Sequence, residues 1–429
     1  MSKHAKNSPS LQLLESSRSI PIEIPLPMLV ALEGVENAFF ELCVAAGRQV
    51  LDVMMEQDRE ALCGPKWRRD PARQAGRGGS TPSEVTLGGR RLAVRRPRVR
   101  SREGAELDLP SFAFAAARDP LDTRTLDAIA SGVSTRKYRR TLERLSPEAS
   151  ERSVSKSSVS RRFVALSQKQ MARWLSAPLD GMDVRIIVID GIAFHEHTVL
   201  IALGVDSDGK KHVLGLREGS TENAQVAKAL LRDLMERGLA VDRARLFVID
   251  GAKALRVAIR KVFGPLGVIQ RCVVHKRRNI LEHLPECTRP RVARVLTEAW
   301  DSHDPGLAQR RLERLAGSFE AEHPGAAASV REGLEETLTL QRLGVSGPLY
   351  RTLCSTNPIE NLNGSVAAYT RNVKRWRSGS MIVRWVSAAL LEAQKHFRRV
   401  RGYRDLPHLA CALEAIALEH GVTVEKQVA

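Results

Sequence analysis

Val184-Arg-Ile-Ile-Val-Ile-Asp-Gly191 is echoed by Leu246-Phe-Val-Ile-Asp-Gly251, so that one tetrapeptide, Val-Ile-Asp-Gly, closes two apolar runs. Each run is too short for an independent helix and too continuously apolar for a strand wetted on one face. Each therefore reads as a central strand buried on both sides. Side by side, the two strands would bring Asp190 and Asp250 to one sheet edge, where open α/β sheets place their chemistry. A single Asp-Gly can be no more than a turn after a strand; the repetition favours a site.

Two carboxylates held close repel each other unless a proton or a divalent cation is shared between them. Magnesium takes oxygen ligands and keeps positions open for phosphate oxygens, and two such ions support in-line displacement at phosphorus. The expected cofactor is a pair of Mg2+ ions, with Mn2+ as a substitute, and the expected partner is a polyanion. The 429-residue chain carries 67 Lys+Arg against 49 Asp+Glu, a net charge of +18 and a pI near 10.1. That balance suits a protein that neutralises phosphates, although ribosomal and membrane-surface chains share it. Placement says more. Arg90, Arg91, Arg95, Arg96, Arg98, Arg100 and Arg102 follow one another without an intervening acid. Further cations gather at Arg371, Lys374, Arg375, Arg377 and Arg384, then at Lys395, Arg398, Arg399, Arg401 and Arg404. One such run can be a solvated helix face or an edge strand; three favour an extended nucleic-acid surface.

The length suggests about three domains with at least one large core. No apolar stretch approaches the roughly 20 residues of a membrane span, and the first residues, MSKHAKNSPS, lack a signal segment. A cytoplasmic, nucleoid-associated protein with no membrane partner is expected. Cys43, Cys63, Cys272, Cys287, Cys354 and Cys411 are scattered, as buried thiols rather than a disulfide framework would be.

Residues 1–83 read as a helical and flexible region, with a helical pattern from Pro27 to Met55 and a Gly-, Pro- and Arg-rich connection from Gly64 to Ser83. A basic hairpin follows within 84–104, two β-prone runs around Gly88-Gly89 with arginines outward. Residues 105–178 read as a helix-turn-helix-like DNA-binding domain. In it, Gly132-Val-Ser-Thr-Arg-Lys-Tyr-Arg-Arg140 and Val154-Ser-Lys-Ser-Ser-Val-Ser-Arg-Arg-Phe163 each launch a basic helix from a small-polar turn. An ordinary capped helix in a bundle is the alternative. Arg95, Arg96, Arg136, Lys156, Arg161, Arg162, Arg371, Lys374 and Arg375 are the candidate DNA contacts.

From residue 179 the order is strand (Val184 to Asp190), strand (Val199 to Asp206), strand (His212 to Arg217), helix (about Glu222 to Arg237), strand (Leu246 to Asp250), helix (about Lys253 to Phe263) and strand (Val268 to Cys272). Asp208-Gly209 signals a hairpin, so the first three strands form a meander. The helix before the fourth strand permits a parallel crossover beside the first. This α/β order resembles the ribonuclease H type of fold.

Asp190-Gly191, Gly215-Leu-Arg-Glu-Gly-Ser-Thr-Glu-Asn223, Phe247-Val-Ile-Asp-Gly-Ala-Lys-Ala-Leu255, Gln270-Arg-Cys-Val-Val-His-Lys-Arg-Arg-Asn279 and Ser355-Thr-Asn-Pro-Ile-Glu-Asn361 together resemble the Mutator-type transposases of bacterial insertion sequences, from about Glu41 to Leu406. The resemblance implies two strand-end aspartates and a downstream glutamate that hold the catalytic metals, here Asp190, Asp250 and Glu360. The residues alone leave Glu360 open, because Asn357-Pro-Ile-Glu360 also fits a capping box with Asn357 as N-cap and Pro358 at N1.

The roughly 110 residues between Asp250 and Glu360 are too many for a loop. Val292 to Trp300, Ala308 to Phe319 and Ala326 to Thr339 read as helices, so an all-helical insertion at 276–350 is expected to interrupt the core (179–275 and 351–406), with a tail at 407–429. Cys272 and His275, with His283 and Cys287, could be a zinc set, but the spacing is untidy. The family carries this Cys-x-x-His without its being a catalytic metal site, which implies a structural role for Cys272 and His275 in fixing the insertion to the core. Lys276, Arg277 and Arg278 beside it could contact DNA. In the stretch Val366-Ala-Ala-Tyr369 the family often has basic residues sooner, whereas here they begin at Arg371.

The expected protein is a metal-dependent DNA transposase, acting on double-stranded DNA at element ends and target as a dimer or higher homo-oligomer. A ribonuclease H-fold nuclease or resolvase without strand transfer, or an inactive DNA-binding regulator, are the alternatives.

Overall fold

The computed structural model describes residues 35–68, 73, 75–87, 90–117, 122–130, 132–141, 151–152, 155–219 and 223–422. Expectations for residues 1–34, for the Gly88-Gly89 turn, for most of the connection from Leu145 to Ser155 and for 220–222 lie outside that set. Contacts divide the chain into two units: the described residues through Arg124 with those of Arg136–Val159, and those of Thr125–Thr135 with Ser160 onward. That boundary cuts through the 105–178 segment.

In the first unit the helix Val35–Cys63 packs on a hairpin of β1 (Ala75–Leu87) and β2 (Arg90–Ser101), and two short strands, β3 (Glu106–Leu107) and β4 (Glu151–Arg152), also pair with β2. Met55, Ala75 and Val99 form one apolar cluster, and Val85, Leu92 and Val94 another. β1 starts ten residues before the run at Val85 that announced it, so Ala75 to Ser83 is strand rather than connection. The backbone of β2 from Val94 to Ser101 needs hydrogen-bond partners, and the Gly78-Gly79 pair is absorbed by a register shift between Arg77 and Ser80. Gly132–Arg140 launches no helix: Tyr138 is buried, and the chain makes one 3-10 turn over Tyr138–Thr141. The second basic segment does form a helix, Lys156–Leu175, with Ser155 Oγ accepting the Ser158 N–H at 3.2 Å.

The second unit is built on a five-stranded mixed sheet in the order β7-β6-β5-β8-β9. Its strands are β5 (Val184–Phe194), β6 (His197–Asp206), β7 (Lys211–Gly219), β8 (Arg245–Ile249) and β9 (Gly267–Arg271). β5, β6 and β7 form the antiparallel meander, and β8 and β9 add in parallel. Both faces are covered, as the apolar runs required. Ile187, Ile189, Phe247 and Ile249 pack with the helices Ala224–Glu236 and Lys253–Phe263. Ile186, Val188, Leu246 and Val248 pack with Asn357–Thr370, Gly379–Gln394 and Leu406–Glu419. Each such side chain contributes about 1.5–3 kcal/mol by leaving water.

Between β9 and Asn357 the chain is helical throughout: Val273–Glu282, Arg289–Trp300, Pro305–Phe319, Pro324–Arg331, Leu334–Thr337, Thr339–Arg342 and Gly347–Leu353. Most of these helices share an apolar cluster that includes Ile280, Leu296, Leu312 and Phe319. Prolines in the first turn start several of them before the apolar period becomes visible. The expected single helix from Ala326 to Thr339 is broken at Gly333, whose φ is +63°. A Cβ there would lie 2.5 Å from the Arg271 guanidinium. Of the six thiols only Cys63 and Cys272 are buried, against the expectation for most of them. No helix among the described residues is long and apolar enough to cross a membrane.

One fully buried side chain fastens this helical segment to the sheet. Gln270 Nε2 donates to Arg271 O at 2.7 Å and Thr337 O at 3.2 Å, and its Oε1 accepts the Leu340 N–H at 3.0 Å. Gln270→Met keeps the volume and orphans those groups, so unfolding free energy should drop by about 2–3 kcal/mol in urea titrations, with faster amide exchange over 334–342. Unchanged stability would remove Gln270 from this role.

Candidate active site

β5 and β8 run parallel with Ile186 opposite Leu246, Ile187 opposite Phe247 and Val188 opposite Val248. Asp190 and Asp250 lie two residues beyond the last of these pairs, so the register carries both to the same end of the two runs. The two runs do not end alike, however. β8 stops at Ile249, whereas β5 continues through Asp190 to Phe194 because β6 pairs with it throughout. Gly191 lies opposite Leu200 in that ladder, but Gly251 turns the chain with φ +107°. A Cβ on Gly251 would lie 2.1 Å from Arg271 Nε. Asp250 Oδ1 accepts the Ala252 N–H at 2.9 Å, and its other oxygen makes no hydrogen bond among the described residues.

Glu360 sits in the first turn of the helix Asn357–Thr370, whose N-cap is Thr356, one residue before the expected Asn357. The capping box does not form. The Asn357 N–H goes to Ser355 Oγ at 3.4 Å, and Glu360 Oε1 instead accepts from the Thr356 hydroxyl at 2.5 Å, while the Thr356 N–H goes to Cys272 Sγ at 3.4 Å. One turn on, Asn363 Nδ2 donates to Asp190 Oδ2 at 2.9 Å, which ties the Glu360 helix to β5. Asn363 Oδ1 is buried without a partner.

Cys272, fully buried, caps the helix Val273–Glu282 by accepting the His275 N–H at 3.5 Å. His275 Nδ1 lies 3.3 Å from Thr356 Oγ1 and 3.8 Å from Glu360 Oε1. Ligand-type atoms of Cys272, His275 and Glu360 fall within 4.8 Å of one another. That group includes neither His283 nor Cys287, and Asp190, Asp250 and Glu360 are not drawn together as tightly. The structure thus brings the Cys-x-x-His pair against Glu360 itself.

Comparison with known proteins identifies the family. Residues 33–400 match the family profile described as transposase, Mutator family. This chain belongs to the Mutator family of transposases. It is 28% identical over 367 residues to the transposase of insertion sequence element ISRM5 from Rhizobium meliloti, covering 84% of this chain and 89% of that one. The transposase of IS256 in transposon Tn4001 from Staphylococcus aureus is 27% identical over 354 residues, 80% and 87% of the two chains. That of IS6120 from Mycolicibacterium smegmatis is 28% identical over 265 residues, 60% and 79%.

The candidate DNA contacts of this Mutator-family chain differ in how they are held. Arg371, Lys374 and Arg375, with Arg377, are exposed just after the Glu360 helix and make no ion pair among the described residues. Lys156 and Arg161 are exposed and Arg162 half-buried on one helix, and Arg136 is exposed in a turn. Arg95 is exposed and donates to Ser80 Oγ at 3.2 Å. Arg96 is turned inward, 2.8 Å from Glu106 Oε1 and 5.2 Å over the Phe112 ring.

Lys276 is no surface cation. It is 1% exposed, and its Nζ donates to Glu332 O at 2.5 Å beside Arg271, which holds Glu332 Oε2 at 3.2 Å. Burial, then repulsion from Arg271, pulls the Lys276 ammonium down to about 8. Asn363 and Thr356 went unread in the sequence, although spacings of three and four residues from Glu360 place them on its side of a helix.

The lysine gives a pH signature. Its folded pKa lies below the ordinary 10.5, so between about 8 and 10.5 the unfolded chain holds a proton that the folded chain has lost. Stability from this group therefore rises with pH across that window. Denaturant titrations at pH 7.5 and 9.5 should show wild type gaining on Lys276→Met at the higher pH; a constant difference would show that the ammonium is not desolvated.

Proposed function

We propose that this protein is a DNA transposase of the three-carboxylate type, in which Asp190, Asp250 and Glu360 hold two Mg2+ ions on a ribonuclease H-like core interrupted by the helical segment 273–353. The observation that carries the reading is the shared register of Asp190 and Asp250, with Asn363 bonding the Glu360 helix to Asp190. The donor set fits a hard cation. It offers three carboxylates, a second Asp250 oxygen without a hydrogen bond among the described residues, and an amide oxygen of Asn363 that is buried without a partner among them. Mn2+ fits the same oxygen donors.

Bound there, the ions supply Lewis-acid stabilisation of charge on the phosphoryl oxygens. The chain itself does the positioning. Asn363 orients Asp190, the Ala252 N–H orients Asp250, and Thr356 pins one oxygen of Glu360. In the first step water displaces the 3′ oxygen from phosphorus at the element's end. In the second, the freed 3′ hydroxyl attacks a target phosphodiester and displaces its 3′ oxygen. Both are in-line displacements at phosphorus, so one site serves both and no side chain becomes covalently attached. Exposed cations at Lys156, Arg161, Arg371, Lys374 and Arg375 match a duplex backbone, and two element ends call for a homo-oligomer on DNA.

Asp190→Asn, Asp250→Asn and Glu360→Gln should each retain binding to element ends and lose Mg2+-dependent cleavage and joining of a labelled end. Activity close to wild type in any one would remove that residue from the site. Cleavage without joining in the wild type would favour a nuclease or resolvase, and a mobility shift without cutting a regulator. Replacing Lys156, Arg161 and Arg162 by alanine should weaken end binding and flatten its salt dependence by about one unit for each phosphate that is no longer neutralised. An unchanged slope would return that helix to a structural role.

A further inference from the structure

The cluster of Cys272, His275 and Glu360 has the composition of a soft-metal site, but its centre is filled. Thr356 Oγ1 lies 2.5 Å from Glu360 Oε1, 3.3 Å from His275 Nδ1 and 3.4 Å from Cys272 Sγ. A metal would need about 2.0–2.3 Å to each of those atoms. The central group is therefore a hydroxyl at hydrogen-bonding distance from three partners, and Thr356 is fully buried.

A hydroxyl has one proton. The shortest approach is to a carboxylate oxygen, in the range of a charge-assisted O–H···O bond, so the proton lies there. The threonine oxygen can then only accept from His275 Nδ1, at 3.3 Å, and the Cys272 sulfur packs against its remaining side at 3.4 Å. Cys272 is itself fixed, because its sulfur accepts the N–H groups of His275 and Thr356 at 3.5 and 3.4 Å. The sulfur and the imidazole thus flank the hydroxyl and leave its proton to Glu360 Oε1. Glu360 Oε2, which makes no hydrogen bond among the described residues, stays available to a ligand.

We infer that Thr356 is the positioning residue for Glu360, and that Cys272 and His275 act on the reaction through its hydroxyl rather than by binding metal. This rests on the reading of Glu360 as a metal ligand. Removing a group that orients a metal ligand typically weakens metal binding by about 10–100-fold.

The test is Mn2+ binding, followed by calorimetry and electron paramagnetic resonance, on the full chain complexed with a duplex carrying the element's end. Thr356→Val should weaken Mn2+ binding by at least about tenfold, and Thr356→Ser should restore it. If the valine variant does not fold, Thr356→Ala removes the same hydroxyl with less bulk. Nitrogen-15 spectra of histidine-labelled wild type should show His275 protonated on Nδ1. Wild-type Mn2+ affinity in the hydroxyl-less variant, while Glu360→Gln loses binding, would overturn the inference and leave the three-carboxylate reading standing. A neutral His275 protonated only on Nε2 would also overturn it. Wild-type Mn2+ binding and cleavage in Glu360→Gln would instead overturn the functional reading beneath it.

Discussion

The parallel pairing of β5 with β8, Ile186 to Val188 against Leu246 to Val248, sets which residues come to the end of the sheet, and the second unit is packed around it on both faces. Ile186 to Ile189 and Leu246 to Ile249 are all at 0% exposure, so both faces of this pair are packed. A slip of one residue would exchange the side chains that each strand turns to those two faces, and close-packed neighbours fit one set and not the other. Burial on both sides therefore does more than stabilise: it holds the register.

The same tetrapeptide does two different backbone jobs. At Gly191 the ladder with β6 continues, so Asp190 stays paired along that edge, opposite Ile201. At Gly251 the chain breaks away and leaves room for the Arg271 side chain, which reaches Glu332 in the helical segment and passes beside Gly333. Arg271, Lys276 and Gln270 lie close to Cys272 in sequence, and all three bond the helical segment. The end of β9 thus fixes three things at once: the turn after Asp250, the helices beyond it and the sulfur beside Glu360.

What the sequence disclosed depended on range. Strand order was legible because uninterrupted apolar runs and Asp208-Gly209, with φ +80° at Gly209, carry local signals that the tertiary structure reinforces. Ala75 to Ser83 was misread because its pairing partner supplies what its own glycines and proline lack. Tyr138 hides a helix-like pattern by turning inward, and Lys276 reads as a surface charge until Glu332, more than fifty residues away, is folded onto it. Glu360 shows the limit most sharply. Asn-Pro-Ile-Glu is an adequate cap by local rules, but the helix starts one residue earlier, at Thr356, and the Asn357 N–H goes to Ser355 Oγ, which leaves the carboxylate for other use.

The excess of cations needs the same distinction between local and tertiary context. Arg96 and Arg98 belong to an acid-free stretch, yet both meet Glu106, so a run of arginines is partly neutralised by a residue outside it. The cations after the Glu360 helix have no such partner among the described residues. Arg371 lies eleven residues along that helix from Glu360, a rise of about 16 Å. At about 3.4 Å per base pair, that is some five base pairs along a duplex. On the proposed reading these cations would neutralise backbone phosphates at a distance from the cleavage point. Charge developing at the reacting phosphate would then fall to the metal ions that Asp190, Asp250 and Glu360 would hold, which is the role that reading gives the three carboxylates.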